Sequence, residues 1–197
     1  MNRPMYEHFA ARHLAVKGPG ALTQLEEGVM GTLPLDLSSD PSYWFIQGIR
    51  TFAAEQSVSA GGAGTYAKVG LSIESTSAEI LVRILGIHIL DPNSGQIQIH
   101  RCLRTAFSSG PGVYGTGTDT RIAEAQNSQA VIISAANASL PGTSMGRIER
   151  GGTQTLVFDY PMIISPGQSI YFLNTTTNDT LRICLVWVEI PAYKAEL

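Results

Sequence analysis

The segment Lys68-Val69-Gly70-Leu71-Ser72-Ile73-Glu74 alternates polar and apolar residues, which predicts a strand with Val69, Leu71 and Ile73 on one face. Ile80–Leu90 is apolar on both faces and predicts a central strand or one at an interface. Asp91-Pro92-Asn93-Ser94-Gly95 is a strong turn signal, and Gln96–Leu103 follows it with Ile97, Ile99 and Leu103 on one face. Those two runs are expected to pair as a hairpin. Further strands are predicted at Tyr43–Phe52 (interrupted by Gly48), Ala130–Ala135, Thr153–Ile164, Ser169–Leu173 and Thr180–Ile190. Turns fall at Pro141-Gly142, Gly151-Gly152, Pro166-Gly167 and Asn178-Asp179, and loops at 60–64 and 108–120. A short helix is possible near Arg121–Gln126, and no internal repeat is visible. About eight strands joined by irregular loops predict an all-β, single-domain β-sandwich or jelly roll over residues 41–197.

Residues 1–40 have a different texture. Tyr6, Phe9, His13 and Leu14 follow a helical stripe that Gly18-Pro19-Gly20 ends, and Thr23 with Glu26 could form a capping box. Leu33-Pro34-Leu35-Asp36-Leu37 is extended in character. The segment is either an arm that packs on its own body or on a neighbour, or a poorly ordered terminus.

Composition narrows the classes of function. The chain has 197 residues, within the range of one domain, and charged residues make up 15%. A net charge of −3 lacks the basic footprint that nucleic acid demands. No apolar run is long enough to span a bilayer, so no membrane partner is expected. Arg3, Glu7, His8, Arg12 and His13 break up any signal-peptide core. Cys102 and Cys184 sit in apolar strand-like runs and read as reduced, buried thiols. Sequons occur at Asn137, Asn174 and Asn178, as chance allows in a Ser/Thr-rich chain.

Two catalytic patterns match by letter and fail by context. Gly142-Thr143-Ser144-Met145-Gly146 fits the nucleophile elbow, but Pro141 precedes it, Gly151-Gly152 follows, and every histidine lies upstream. Gly110-Pro111-Gly112-Val113-Tyr114-Gly115 fits the dinucleotide fingerprint, but Thr116-Gly117-Thr118-Asp119 gives no helix to receive a pyrophosphate. His88 and His100 could approach across the expected hairpin, as half-buried structural histidines. The spacing of His, Cys, Asp and Glu fits no metal site. No catalytic residue, cofactor or metal is therefore expected.

What remains is contact surface. Tyr43, Trp44 and Phe45 are consecutive, so in a strand at least one ring faces away from the local core. Ten arginines against three lysines match the bias of protein–protein interfaces. The candidate interaction residues are Tyr6, Phe9 and Leu14 on the arm, the patch Tyr43, Trp44 and Phe45, and Tyr114 in the loop 108–118.

In the C-terminal half, Pro166-Gly167-Gln168-Ser169-Ile170-Tyr171-Phe172-Leu173-Asn174-Thr175-Thr176 precedes Thr180-Leu181-Arg182-Ile183-Cys184-Leu185-Val186-Trp187-Val188-Glu189. This pair of segments resembles the last hairpin of jelly-roll virion proteins of tailed bacteriophages, where a final strand carries a Trp and an acidic residue. Val69–Leu90 resembles the first hairpin of the same group, and the likeness covers roughly residues 43–191. The resemblance implies a non-enzymatic head-decoration or cement subunit, often a homotrimer, assembled in the host cytoplasm. Its implied partners are further copies of itself and the major capsid protein or another virion protein. The alternative is a receptor- or glycan-binding jelly-roll module of a tail or fibre, with Tyr114 near Asp119 as its one aromatic platform.

Overall fold

A computed structural model describes residues 50–90, 94–107, 112–118 and 127–192. Within them the chain forms β1 (Arg50–Ser59), β2 (Tyr66–Ile73), β3 (Ile80–Ile89), β4 (Ser94–Leu103), β5 (Val113–Gly117), β6 (Asn127–Asn137), β7 (Thr143–Gly151), β8 (Gln154–Ile164), β9 (Gln168–Asn174) and β10 (Thr180–Pro191). One four-residue helix, α1 (Arg104–Phe107), follows β4. The expected all-β class is what the chain adopts, with ten strands among the described residues in place of eight. The expected arm, residues 1–40, and the possible helix at Arg121–Gln126 lie outside the described residues.

The two additional strands are β5, within the expected loop 108–120, and β7, in a segment between the expected turns Pro141-Gly142 and Gly151-Gly152 for which no strand is predicted. Neither follows a hydrophobic pattern, because neither contributes a full face to the core. β7 is an edge strand that pairs only with β4, and its Ile148 is the apolar residue that reaches the core. β5 is held by ladders to β1 and β6 and by close packing of Gly115 against Trp187.

All strand pairs are antiparallel, and hydrogen bonds run in the order β7-β4-β9-β2-β6-β5-β1-β10-β3-β8. The sheet curls so that its two ends face each other. One half, β7-β4-β9-β2, packs against the other, β1-β10-β3-β8, and β6-β5 bridges them along one side. Leu71 of β2, Phe172 of β9 and Ile99 of β4 meet Leu185 of β10, Ile84 of β3 and Met162 of β8 in a single buried cluster. Burying large aliphatic side chains from both halves is the main term holding them together.

The expected hairpin between Ile80–Leu90 and Gln96–Leu103 does not form. β3 pairs with β10 and β8, whereas β4 pairs with β7 and β9, so the two strands stand in opposite halves. Both runs need two strand neighbours and a face on the core, and the crossing gives each of them both. Elsewhere the turn chemistry holds: Gly167 has φ 74° and Asn178 has φ 58°, the left-handed region that these residues tolerate.

Candidate functional site

The polar side chains concentrate on the outward face of β4, β9, β2 and β6. Register sets them in rows: Gln98, Leu173, Lys68 and Ala135; then His100, Tyr171, Gly70 and Ile133; then Cys102, Ser169, Ser72 and Val131. A polar position alternating with a core position ordinarily faces water. Here the face is covered, and Lys68 has 0% exposure. Phe107 of α1 stacks on Tyr171 with ring centroids 4.8 Å apart, and His100 stacks on Tyr171 at 5.0 Å. The segment joining β6 to β7 closes the rest. The Lys68 Nζ donates to Asn137 Oδ1 and the Ser139 carbonyl, and the Tyr171 hydroxyl donates to the Pro141 carbonyl at 2.7 Å. Gly142, with φ 83°, lies so close to β4 that a Cβ there would stand 1.9 Å from the Arg101 carbonyl oxygen.

Burial dominates the electrostatics of this cluster. It pushes the Cys102 thiol up, against the pull of Lys68, and pushes the Tyr171 hydroxyl up to about 12. It also lowers Lys68, against Cys102, and lowers His100, with the nearby Lys68 adding to the effect. A nucleophilic cysteine needs its pKa lowered so that thiolate is present; here burial drives it the other way. The buried Ser72 and Ser169 hydroxyls bond to each other. Ser144 stands opposite His100 in the β4–β7 ladder, yet no hydrogen bond joins them: His100 Nε2 meets Gln98 Oε1 at 3.1 Å and its Nδ1 is buried without a partner. Ser144 is exposed on an extended strand, so the strained turn of a nucleophile elbow is absent. The cluster holds a loop and a helix onto a sheet.

A second buried polar group lies where the bridge meets β10. Glu189 Oε1 accepts from the Ala130 amide at 2.8 Å and from Trp187 Nε1 at 3.5 Å, and its Oε2 accepts from the Gln129 amide at 3.1 Å. Burial raises the Glu189 pKa, and these three donors pull it back. Ser128 accepts from the Gly115 amide at 2.7 Å and donates to the Ala130 carbonyl. Gly115 presses on the Trp187 ring, which in turn stacks on Phe52. The third glycine of the dinucleotide-like pattern therefore sits in a strand against an indole, and no helix starts from it.

Of the candidate interaction residues, Tyr6, Phe9, Leu14, Tyr43, Trp44 and Phe45 lie outside the described residues. Tyr114 is 54% exposed, on strand β5 rather than in a loop, opposite Val131. Asp119, expected near it, is outside the described residues. His88 and His100, expected to approach each other, stand on opposite halves; His88 Nδ1 bonds Thr155 Oγ1 at 2.8 Å. Both cysteines are free, Cys102 buried and Cys184 half-buried. Asn174 is buried, with its Nδ2 donating to Asp179 and Thr180, so that sequon offers no acceptor to a glycan.

Lys68 is buried, although period-two alternation alone places it on the face opposite Val69, Leu71 and Ile73. The signal was Gly70, two residues on: a Cβ there would lie 2.8 Å from Tyr171 Cβ and 2.9 Å from Phe107 Cε1, the mark of a face that something else approaches closely. Among the described residues no group of three or more His, Cys, Asp or Glu could hold a metal ion, and no helix is long and apolar enough to cross a membrane. No protein-family model matches the chain, and no curated protein matches it.

Proposed function

We propose that this chain is a non-enzymatic structural subunit of a bacteriophage particle, a capsid decoration or cement protein built on a jelly roll that associates with further copies of itself. The observation that carries the reading is the strand order. A jelly roll is two four-stranded sheets whose strands come from two Greek keys. Setting β5 and β6 aside leaves β1-β10-β3-β8 and β7-β4-β9-β2, eight strands in which consecutive members alternate between the two sheets except β4 and β7, which pair side by side in one of them. On this reading β5 and β6 are an insertion after the fourth strand that seals one side. The C-terminal Trp187 and Glu189, part of the resemblance to virion proteins, are the residues that lock the insertion to the last strand.

The buried titratable groups support a structural role, because Lys68, Tyr171 and Glu189 are each engaged in pinning one segment to another. The same architecture serves lectins as well as capsids, and the exposed Tyr114, beside the equally exposed Val113 on β5, favours glycan or receptor binding as the second reading. Mass spectrometry of particles purified by density gradient from the source culture tests the first. The chain is expected at a fixed stoichiometry to the major capsid protein; gradient-pure particles without it would refute the assignment.

A further inference from the structure

Lys68 is buried without a counter-ion. It has 0% exposure, and Leu173 and Ala135 flank it in the ladders on either side. Among the described residues no carboxylate pairs with it, and burial keeps the nearby Cys102 thiol protonated. An ammonium taken out of water with no paired anion is costly, so such a site favours the neutral amine. Burial moves Lys68 in that direction. A desolvated, neutral lysine amine is a nucleophile.

The group in front of this amine is a carboxamide. Tyr66 of β2 stands opposite Asn137 of β6, and Lys68 opposite Ala135, so Lys68 and Asn137 are diagonal neighbours on the same outward face. The Lys68 Nζ lies against Asn137 Oδ1 and the Ser139 carbonyl, which fixes it beside the Asn137 carboxamide. The Ser139 amide donates to the same Oδ1 at 3.1 Å. That donor stands where negative charge builds on Oδ1 when an amine adds to the carboxamide carbon. Asn137 is exposed, so a small leaving group there has a path to water.

We propose that Lys68 and Asn137 become joined by an isopeptide bond. The Nζ lone pair adds to the Asn137 Cγ, the Cγ–Nδ2 bond breaks, and one proton passes from Nζ to Nδ2. Ammonia leaves and a secondary amide remains, with no oxidant, reductant or further reactant consumed. The product is uncharged, which removes the buried cation. It ties β2 to the end of β6 between positions 69 residues apart, and a cross-link of that span restricts the unfolded chain.

Intact-mass spectrometry of the purified full-length protein, followed by tryptic digestion after denaturation, tests this. The wild type is expected to be lighter than its sequence by one ammonia, about 17 Da. Its digest is expected to contain a branched peptide joining Lys68 to Asn137, with no cleavage after Lys68. Asn137→Ala, a change at an exposed position, is expected to show its full sequence mass and normal cleavage after Lys68. A wild type of full sequence mass, cut after Lys68, would overturn the proposal. So would an ammonia deficit that persists in Asn137→Ala or that fragmentation places within one linear peptide, because the loss would then be an asparagine cyclising on its own backbone.

Discussion

Gly115 and Glu189 are the two side-chain positions on which the β5–β6 bridge turns. A Cβ at Gly115 would fall 2.4 Å from the Trp187 ring. Gly115→Ala must displace that indole or the β5 backbone, and overpacking of this kind costs about 1–3 kcal/mol. Urea unfolding monitored by tryptophan fluorescence is expected to show the midpoint lowered; an unchanged midpoint would mean that β5 is not pressed on the ring. Glu189 carries a pH signature. Burial raises its folded pKa above the ordinary 4.5, so between those values the folded state binds more protons than the unfolded state. Its contribution is therefore fully present below 4.5 and is lost as pH rises through the folded value. Thermal unfolding is expected to favour Glu189→Gln over the wild type progressively as pH rises above 4.5, since the amide keeps an acceptor for the Ala130 amide without a buried charge. A difference that stays constant with pH would contradict this.

At the scale of elements, the segment between β6 and β7 depends on two anchors, Lys68 beneath Asn137 and Ser139 and Tyr171 beneath Pro141. Tyr171→Phe keeps the ring stack with Phe107 and His100 but leaves the Pro141 carbonyl without its donor. The expected cost is about 1 kcal/mol. Hydrogen exchange is expected to speed up at residues 138–143 while the β9 amides stay protected; faster exchange throughout β9 would instead assign Tyr171 to the core alone. The same elements show where the sequence was legible. Strands with a full face on the core, such as β2, β9 and β10, follow from period-two alternation, and the Pro166-Gly167 and Asn178-Asp179 turns follow from backbone chemistry. β7 and β5 did not, because an edge strand with one inward Ile148 and a strand packed through Gly115 carry almost no hydrophobic pattern. The β3–β4 pairing failed for a different reason: a turn signal between two apolar runs fits a hairpin and a crossing between sheets equally well. The polar cluster around Lys68 was hidden because alternation identifies a second face without saying whether another segment covers it.

At the scale of the whole molecule, the outward face of β4-β9-β2-β6 is covered by described parts of the chain, while the outward face of β1-β10-β3-β8 sets apolar residues such as Val186 and Val188 beside the Glu55–Arg182 ion pair and His88 with Thr155. The β5–β6 bridge seals one side of the sandwich and leaves β7 and β8 as edge strands on the other. The β8 edge is broken where residues 158–161 stand against Leu85 alone between the Ile84–Met162 and Gly86–Val157 pairs, an irregularity that discourages strand addition. On the proposed role as a particle subunit, copies are expected to associate through faces and loops rather than through the β8 edge. The most direct test is the native mass of the purified full-length protein by size exclusion with light scattering. The account predicts a single species near three times 21.1 kDa. A single species of 21.1 kDa at every concentration would contradict it.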